Sequence, residues 1–192
     1  MTSSSAQRTV GASAAAEGRR PVPEAVLRDG TLSFDGRATA GRFVGETRVV
    51  SGHVHGSADL RHARGWVTAP VRSLATGNRR RDRDLNISME SDRYPTLRYD
   101  LAGVTTRAVR EDGIDAVLHG SLTIHGVTRA VDVPALVHAA GDAITVCGHF
   151  PLKLTDYGIG GLTKFFGILR MHEDILVHVA LVFRPTGATA RG

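Results

Sequence analysis

The sequence predicts an all-β fold, an antiparallel up-and-down barrel of eight strands with one short helix near residues 80–93. Three observations carry that expectation. From Thr31 onward the dominant hydrophobic period is two. About eight such segments follow at short spacing, each bounded by glycine, asparagine, aspartate or proline. Glycines also recur inside the strand patterns, at Gly52, Gly56, Gly120 and Gly148, where they weaken a flat sheet but permit sharp coiling.

Bulk properties bound the rest. A chain of 192 residues with 42% hydrophobic and 22% charged side chains buries one core and leaves little room for two. No run approaches the roughly 18 apolar residues of a membrane-spanning helix. Cys147, the single cysteine, excludes an intramolecular disulfide and a cysteine-based zinc site. Residues 1–26 lack apolar periodicity and read as a flexible tail, 27–185 as the barrel domain, and 186–192 as a disordered C-terminal tail. The longest apolar run near the start, Ala12–Ala16, is broken by Ser13. That is too short for a secretory signal, so a cytoplasmic location is expected. A net charge of +5 permits attraction to anions. Arg8, Arg19 and Arg20 against Glu17 and Glu24 are too balanced for a nucleic-acid arm, and no nucleic-acid partner is expected.

The elements follow in order. Thr31–Ala38 comes after the turn signal Arg28-Asp29-Gly30, and Val49–Leu60 and Gly65–Leu74 are the next strands. Between Arg80 and Arg93, Leu85 and Met89 stand four apart, a short helix that Pro95 ends. Thr96–Val104 is the next strand. After Glu111-Asp112-Gly113, the segment Asp115–His125 puts Leu118, Gly120, Leu122 and Ile124 on one face and His119, Ser121, Thr123 and His125 on the other. Ile124-His125-Gly126-Val127 reads as a tight hairpin turn into Val127–Val137. In Ala143–Leu152, Ile144, Val146, Gly148, Phe150 and Leu152 oppose Thr145, Cys147 and His149. Ile175–Phe183 is apolar on both faces apart from His178, and Gly158-Ile159-Gly160-Gly161-Leu162 reads as a flexible loop.

The alternating apolar face supplies the candidate ligand-lining residues Val54, Leu97, Tyr99, Leu118, Leu122, Ile124, Val146, Phe150, Val179 and Leu181. Alternation alone does not separate a cavity wall from a filled core. An eight-stranded barrel is just wide enough for either its own side chains or one small ligand. If a cavity is present, burying about ten methylenes of a ligand tail is worth on the order of 8 kcal/mol before ordering costs. A polar head would lie near Arg79-Arg80-Arg81-Asp82-Arg83-Asp84. Arg81, Asp82, Leu85, Met89, Phe165 and Phe166 form the expected mouth. The arginines suit a phosphate, carboxylate or anionic membrane surface. Asp82 and Asp84 offset half of that charge, so a solvated loop with local ion pairs is the favoured reading. Phe165 and Phe166 suit a lid, a membrane-touching tip or, more simply, a docked loop.

Catalytic and metal signals are weak. His53 and His55 share a strand face, and His119, His125 and His149 sit on polar faces, but no metal-binding spacing occurs and solvent-facing histidines are favoured. Cys147 beside His149 reads as a small buried thiol rather than a nucleophile. No Gly-x-Ser-x-Gly elbow or phosphate loop is present. No catalytic residue, metal or cofactor is therefore expected. An enzymatic alternative, a cyclase or isomerase acting on an apolar chain, would have to use Tyr99, His119 and Asp156. A membrane- or partner-binding module and a homodimer are further alternatives.

Three stretches, taken together, resemble a known family. Ser73-Leu74-Ala75-Thr76-Gly77, Arg81-Asp82-Arg83-Asp84-Leu85 and Tyr94-Pro95-Thr96-Leu97-Arg98-Tyr99 form the first. Gly120-Ser121-Leu122-Thr123-Ile124-His125-Gly126-Val127-Thr128-Arg129-Ala130-Val131 is the second, and Leu154-Thr155-Asp156-Tyr157-Gly158-Ile159 the third. In order and spacing they are similar to the YceI-like family of lipocalin-like, polyisoprenoid-binding barrels. The resemblance implies an elongated apolar cavity holding an isoprenoid quinone, a polyisoprenoid or a similar amphiphilic lipid, and no catalytic machinery. It also implies a structural role for Arg81 and Asp82, tying their loop to a neighbouring strand turn. Two departures stand out. Asp84 occupies a place where many members carry histidine, and Asn86–Arg93, resembling the stretch that covers the pocket mouth, is shorter and has no aromatic residue.

Overall fold

The computed structural model describes residues 21–38, 41–57, 61–160, 163–164, 169–170 and 172–186. Eleven strands and one α-helix occur among them. They are β1 (Pro21–Ala38), β2 (Gly41–Thr47), β3 (Ser51–Ser57), β4 (Arg64–Pro70), α1 (Arg79–Ser88), β5 (Thr96–Arg110), β6 (Gly113–Ile124), β7 (Val127–Ala140), β8 (Ala143–Lys153), β9 (Thr163–Lys164), β10 (Leu169–Arg170) and β11 (Asp174–Pro185). The strands β1-β3-β4-β5-β6-β7-β8-β11 are hydrogen-bonded in that order, and β11 pairs back onto β1. This is the expected closed, antiparallel, eight-stranded barrel with one helix.

β1 closes the ring. Its register on β11 runs from Ala25↔Pro185 to Asp35↔Leu176, with a bulge between Leu27 and Asp29. On its other edge, β1 pairs first with β3 and then with β2. It begins at Pro21, inside the stretch read as tail, and Ala25 is fully buried between Val54 and Pro185. Residues 1–20 and 187–192 lie outside the described residues.

β2 was not among the eight expected strands. Its inward positions are Phe43, Gly45 and Thr47, interleaved with charged residues and valine, so an apolar alternation barely registers. What holds it is a reciprocal fit with β1. Gly36 pairs with Phe43 and Phe34 pairs with Gly45. Each phenylalanine ring lies over the opposing glycine, where a Cβ would collide with it. The two rings meet edge to face at 6.1 Å.

α1 is shorter than expected, ending at Ser88. Asn78 caps its start, its side-chain oxygen accepting from the amides of Arg80 and Arg81. Its end is a Schellman motif: the Ser91 amide donates to the Asn86 carbonyl and the Glu90 amide to that of Ile87. Glu90 takes the left-handed position (φ 44°) usually held by glycine, and this reversal stops the helix well before Pro95. The loop before α1 is fixed by Asp82, which accepts from the Thr76 amide at 2.8 Å and hydroxyl at 2.6 Å.

The interior holds two packed clusters. The larger, at the α1 end, includes Phe34, Leu74, Met89, Ile124, Phe150, Leu152, Ile159, Ile175 and Val177. The smaller is built on Ala25, Leu181 and Phe183, with Leu27, Val54, Val67, Ile144, Val146 and Val179 against it. Tyr99 lies across the inner wall at Gly120, where a Cβ would stand 2.6 Å from its Cζ and Oη. Replacing Gly120 by valine should therefore destabilise the barrel by about 2 kcal/mol or more, through overpacking against the Asp100 carbonyl oxygen, which lies closer still to such a Cβ, and the Tyr99 ring. Urea unfolding of Gly120→Val against wild type checks this; an unchanged midpoint would refute the packing.

Candidate functional site

The α1 end of the barrel holds a cavity of about 370 Å³ that opens to solvent. Its wall is apolar on nearly all sides. Leu32, Phe34, Leu97, Leu122, Ile124, Phe150, Leu152, Ile175 and Val177 come from five strands of the ring, and Phe43 from β2. Leu74, Leu85, Met89, Leu154 and Ile159 come from the segments that cross the end. The polar side chains gather on one rim: Asn78, Arg80, Arg81, Asp84 and Ser88 belong to α1 and its cap.

The cavity stops at a definite level. Two residues further along each of five wall strands from Leu32, Leu97, Leu122, Phe150 and Val177 stand Gly30, Tyr99, Gly120, Gly148 and Val179. None of these lines the cavity. Three of the five are glycines, and at two of them a larger side chain occupies the space. The Tyr99 ring covers Gly120, and Leu181 reaches to 2.8 Å from where a Gly30 Cβ would be. Below that level the smaller cluster packs inside the barrel, and none of its members lines the cavity.

The ten expected lining residues are thereby divided. Leu97, Leu122, Ile124 and Phe150 line the cavity, whereas Val54, Val146, Val179 and Leu181 pack in the filled half. Tyr99 and Leu118 pack against the larger cluster from below the cavity. At the mouth, Arg81, Leu85 and Met89 line the wall. Asp82 does not, since it is engaged by Thr76. Phe165 and Phe166 lie outside the described residues. Sequence reasoning overlooked Phe43, because β2 itself went unseen. Leu32, Phe34, Ile175 and Val177 carried a signal in their alternation that was not used.

The arginine-rich stretch forms the first turns of α1, with Arg79, Arg80 and Arg83 exposed. The Arg81 guanidinium lies over the Phe43 ring, with Cζ 4.3 Å from its centroid. A chain of contacts thus runs from Gly36, which makes room for Phe43, to Phe43, which carries Arg81. The far end of α1 is anchored separately. The His125 ring stands 4.6 Å from that of Tyr94, its Nε2 lies 3.1 Å from a Glu90 carboxylate oxygen, and its Nδ1 lies 3.2 Å from the Tyr157 carbonyl. His125 and Gly126 both have positive φ (52° and 75°), the two-residue hairpin expected between β6 and β7. That backbone turns the imidazole out of the strand alternation and leaves it only 13% exposed, so for His125 the solvent-facing expectation is corrected.

The candidates for chemistry do not converge. His119 is on the outer wall, with Nδ1 2.8 Å from Asp132 and Nε2 2.9 Å from Thr105. Asp156 is exposed in the 3-10 turn Leu154–Tyr157. Tyr99 is inside, its hydroxyl donating to the Leu118 carbonyl at 3.0 Å and more weakly to that of Val131 at 3.3 Å. Burial, with a smaller contribution from the Asp132 charge, pushes the Tyr99 phenol well above its usual range, away from what acid–base work near neutrality needs. Cys147 is exposed on the outer face of β8, which corrects the buried thiol; its register between inward-facing Val146 and Gly148 outweighs the general tendency of cysteine to be buried. Gly158, expected in a flexible loop, caps the 3-10 turn and leads into buried Ile159. Among the described residues, no group of three histidine, cysteine, aspartate or glutamate side chains could hold a metal ion.

A closed antiparallel barrel, filled at one end and hollow and apolar at the other beneath a helix, defines a β-barrel protein with an internal small-molecule pocket. Comparison with known proteins gives the family. The YceI-like domain matches residues 27–183, and the chain belongs to that family. Protein YceI of Escherichia coli O17:K52:H18 (strain UMN026 / ExPEC) is 34% identical over 76 residues, 40% of this chain and 38% of that protein. Among solved structures, BcnA of Burkholderia cenocepacia has 19% identity and a TM-score of 0.67, covering 80% of this chain and 95% of its own. A polyisoprenoid-binding domain from Saccharophagus degradans, implicated in plant cell wall breakdown, has 17% identity and a TM-score of 0.65, covering 84% and 98%.

The Tyr99 phenol links the site to alkaline stability. Its folded pKa is raised, so its contribution is full below the unfolded phenol pKa of about 10 and declines as pH rises above that value. Wild type should lose stability from about pH 10 upward more steeply than Tyr99→Phe, although the variant starts about 1 kcal/mol lower at neutrality for want of its hydrogen bond. Urea midpoints across that pH range read the two slopes; parallel slopes would contradict the burial of the hydroxyl.

Proposed function

We propose that this protein is a non-enzymatic carrier that holds an isoprenoid or similar amphiphilic lipid in the cavity at the α1 end. The observation that carries the reading is the cavity itself: about 370 Å³, walled almost wholly by aliphatic and aromatic side chains, with polar side chains gathered on one rim. A site of that composition gains its binding energy from apolar burial at roughly 25 cal/mol per Å² and leaves a polar head at the rim. The polyisoprenoid-binding domain of Saccharophagus degradans, alike in fold, supports the same class of ligand. Against an enzymatic reading, Tyr99, His119 and Asp156 have no hydrogen bond or ion pair linking any two of them among the described residues.

Displacement of the neutral fluorescent probe N-phenyl-1-naphthylamine by a prenyl alcohol such as farnesol tests the reading. Wild type should bind the probe and release it to farnesol. Leu97→Trp, which puts an indole into the cavity, should bind both at least tenfold more weakly while keeping the β-sheet circular dichroism spectrum. Equal binding by a folded Leu97→Trp protein would place the ligand elsewhere, and the absence of probe and farnesol binding by wild type would remove the carrier function.

A further inference from the structure

We propose that the preferred occupant is a single-chain amphiphile of medium length with an anionic oxygen head, a fatty carboxylate or prenyl phosphate, whose head is bound by Arg81. The inference rests on the carrier reading and narrows it from two independent observations.

The first is depth. The cavity has a floor: its wall ends with Leu32, Leu97, Leu122, Phe150 and Val177, and none of the residues two positions further along those strands lines it. The chain cannot continue downward, because Tyr99 and Val179 stand at the next level and Leu181, Phe183, Val54 and Val146 pack inside the barrel beneath them. The Tyr99 ring is held across the wall by its bond to the Leu118 carbonyl and fits only because position 120 is glycine. A long polyprenyl tail would therefore leave part of its length outside the barrel, whereas a medium-length chain ends at the Tyr99 level.

The second is charge. Arg81 is half-buried on the cavity rim. Its contact is the face of Phe43, and among the described residues no carboxylate or carbonyl accepts from its guanidinium. Asp82, its neighbour in sequence, is occupied by the Thr76 amide and hydroxyl. Withdrawing donors from water without giving them acceptors is unfavourable. A guanidinium carries its donors in a planar fork that a carboxylate or phosphate oxygen pair can meet in bidentate fashion. Arg80 and Asp84 stand on the same rim.

The test measures dissociation constants by displacement of N-phenyl-1-naphthylamine. The competitors are dodecanoate, dodecyl phosphate, dodecanol and hexadecanoate; the proteins are wild type, Arg81→Met and Arg81→Lys. Wild type should bind dodecanoate or dodecyl phosphate at least tenfold more tightly than dodecanol, and whichever anion binds more tightly identifies the head. Arg81→Met keeps an apolar stem over Phe43; it should weaken dodecanoate and dodecyl phosphate at least tenfold more than it weakens dodecanol and so abolish the preference. Arg81→Lys should retain part of it. Hexadecanoate should gain little over dodecanoate. Equal binding of anion and alcohol by wild type, or an Arg81→Met variant that weakens dodecanol as much as dodecanoate, would overturn the anionic head. A steady gain with each added methylene up to hexadecanoate would overturn the depth limit. Failure of wild type to bind the probe or any competitor would sink the carrier reading instead.

Discussion

The structure depends on one pairing, the antiparallel ladder between β1 and β11. Eight consecutive antiparallel strands form only an open sheet with two exposed edges until residues 25–35 meet residues 176–185. That pairing joins strands far apart in sequence, so its loop-closure entropy must be offset by the apolar surface that closure buries. Phe34 and Val177 lie opposite each other in this ladder, as do Gly30 and Leu181. The first pair faces the cavity and the second belongs to the filled half. The seam thus crosses the level that divides the barrel.

That level is set by shape rather than polarity. Above and below it, the inward residues are equally apolar, and what differs is whether large side chains have somewhere to lie. Gly30 and Gly120 remove Cβ atoms where Leu181 and Tyr99 need room, so the barrel is plugged there by its own chain. Above it, Leu74, Leu85, Met89, Leu154 and Ile159 cross the end without filling it. The same device operates at the β1–β2 hairpin, where Gly36 and Gly45 seat Phe43 and Phe34. There it positions a ring that in turn carries Arg81.

Much of the barrel was legible in the sequence because strand alternation reports directly on inside and outside. In β8 it separates Val146, Phe150 and Leu152 from Thr145, Cys147 and His149, and the exposed thiol follows from that alternation rather than from the usual burial of cysteine. Alternation does not report on height along the barrel axis. Leu122 and Val146 look alike in sequence, yet one lines the cavity and the other packs the filled half, since their levels depend on register across several strands. β2 was illegible for another reason: its inward positions are made apolar by rings of the facing strand as much as by its own residues. The early end of α1 was hidden too, because it uses Glu90 where a glycine would have announced the stop.

The division of the barrel into a hollow half and a filled half is the central claim, and crystallography under xenon pressure tests it most directly, since xenon occupies apolar cavities without needing a hydrogen bond. Xenon density should appear among Leu97, Leu122, Ile124 and Phe150, and none should appear among Val54, Val146, Leu181 and Phe183. Density in the lower group, or its absence from the upper one, would contradict the account.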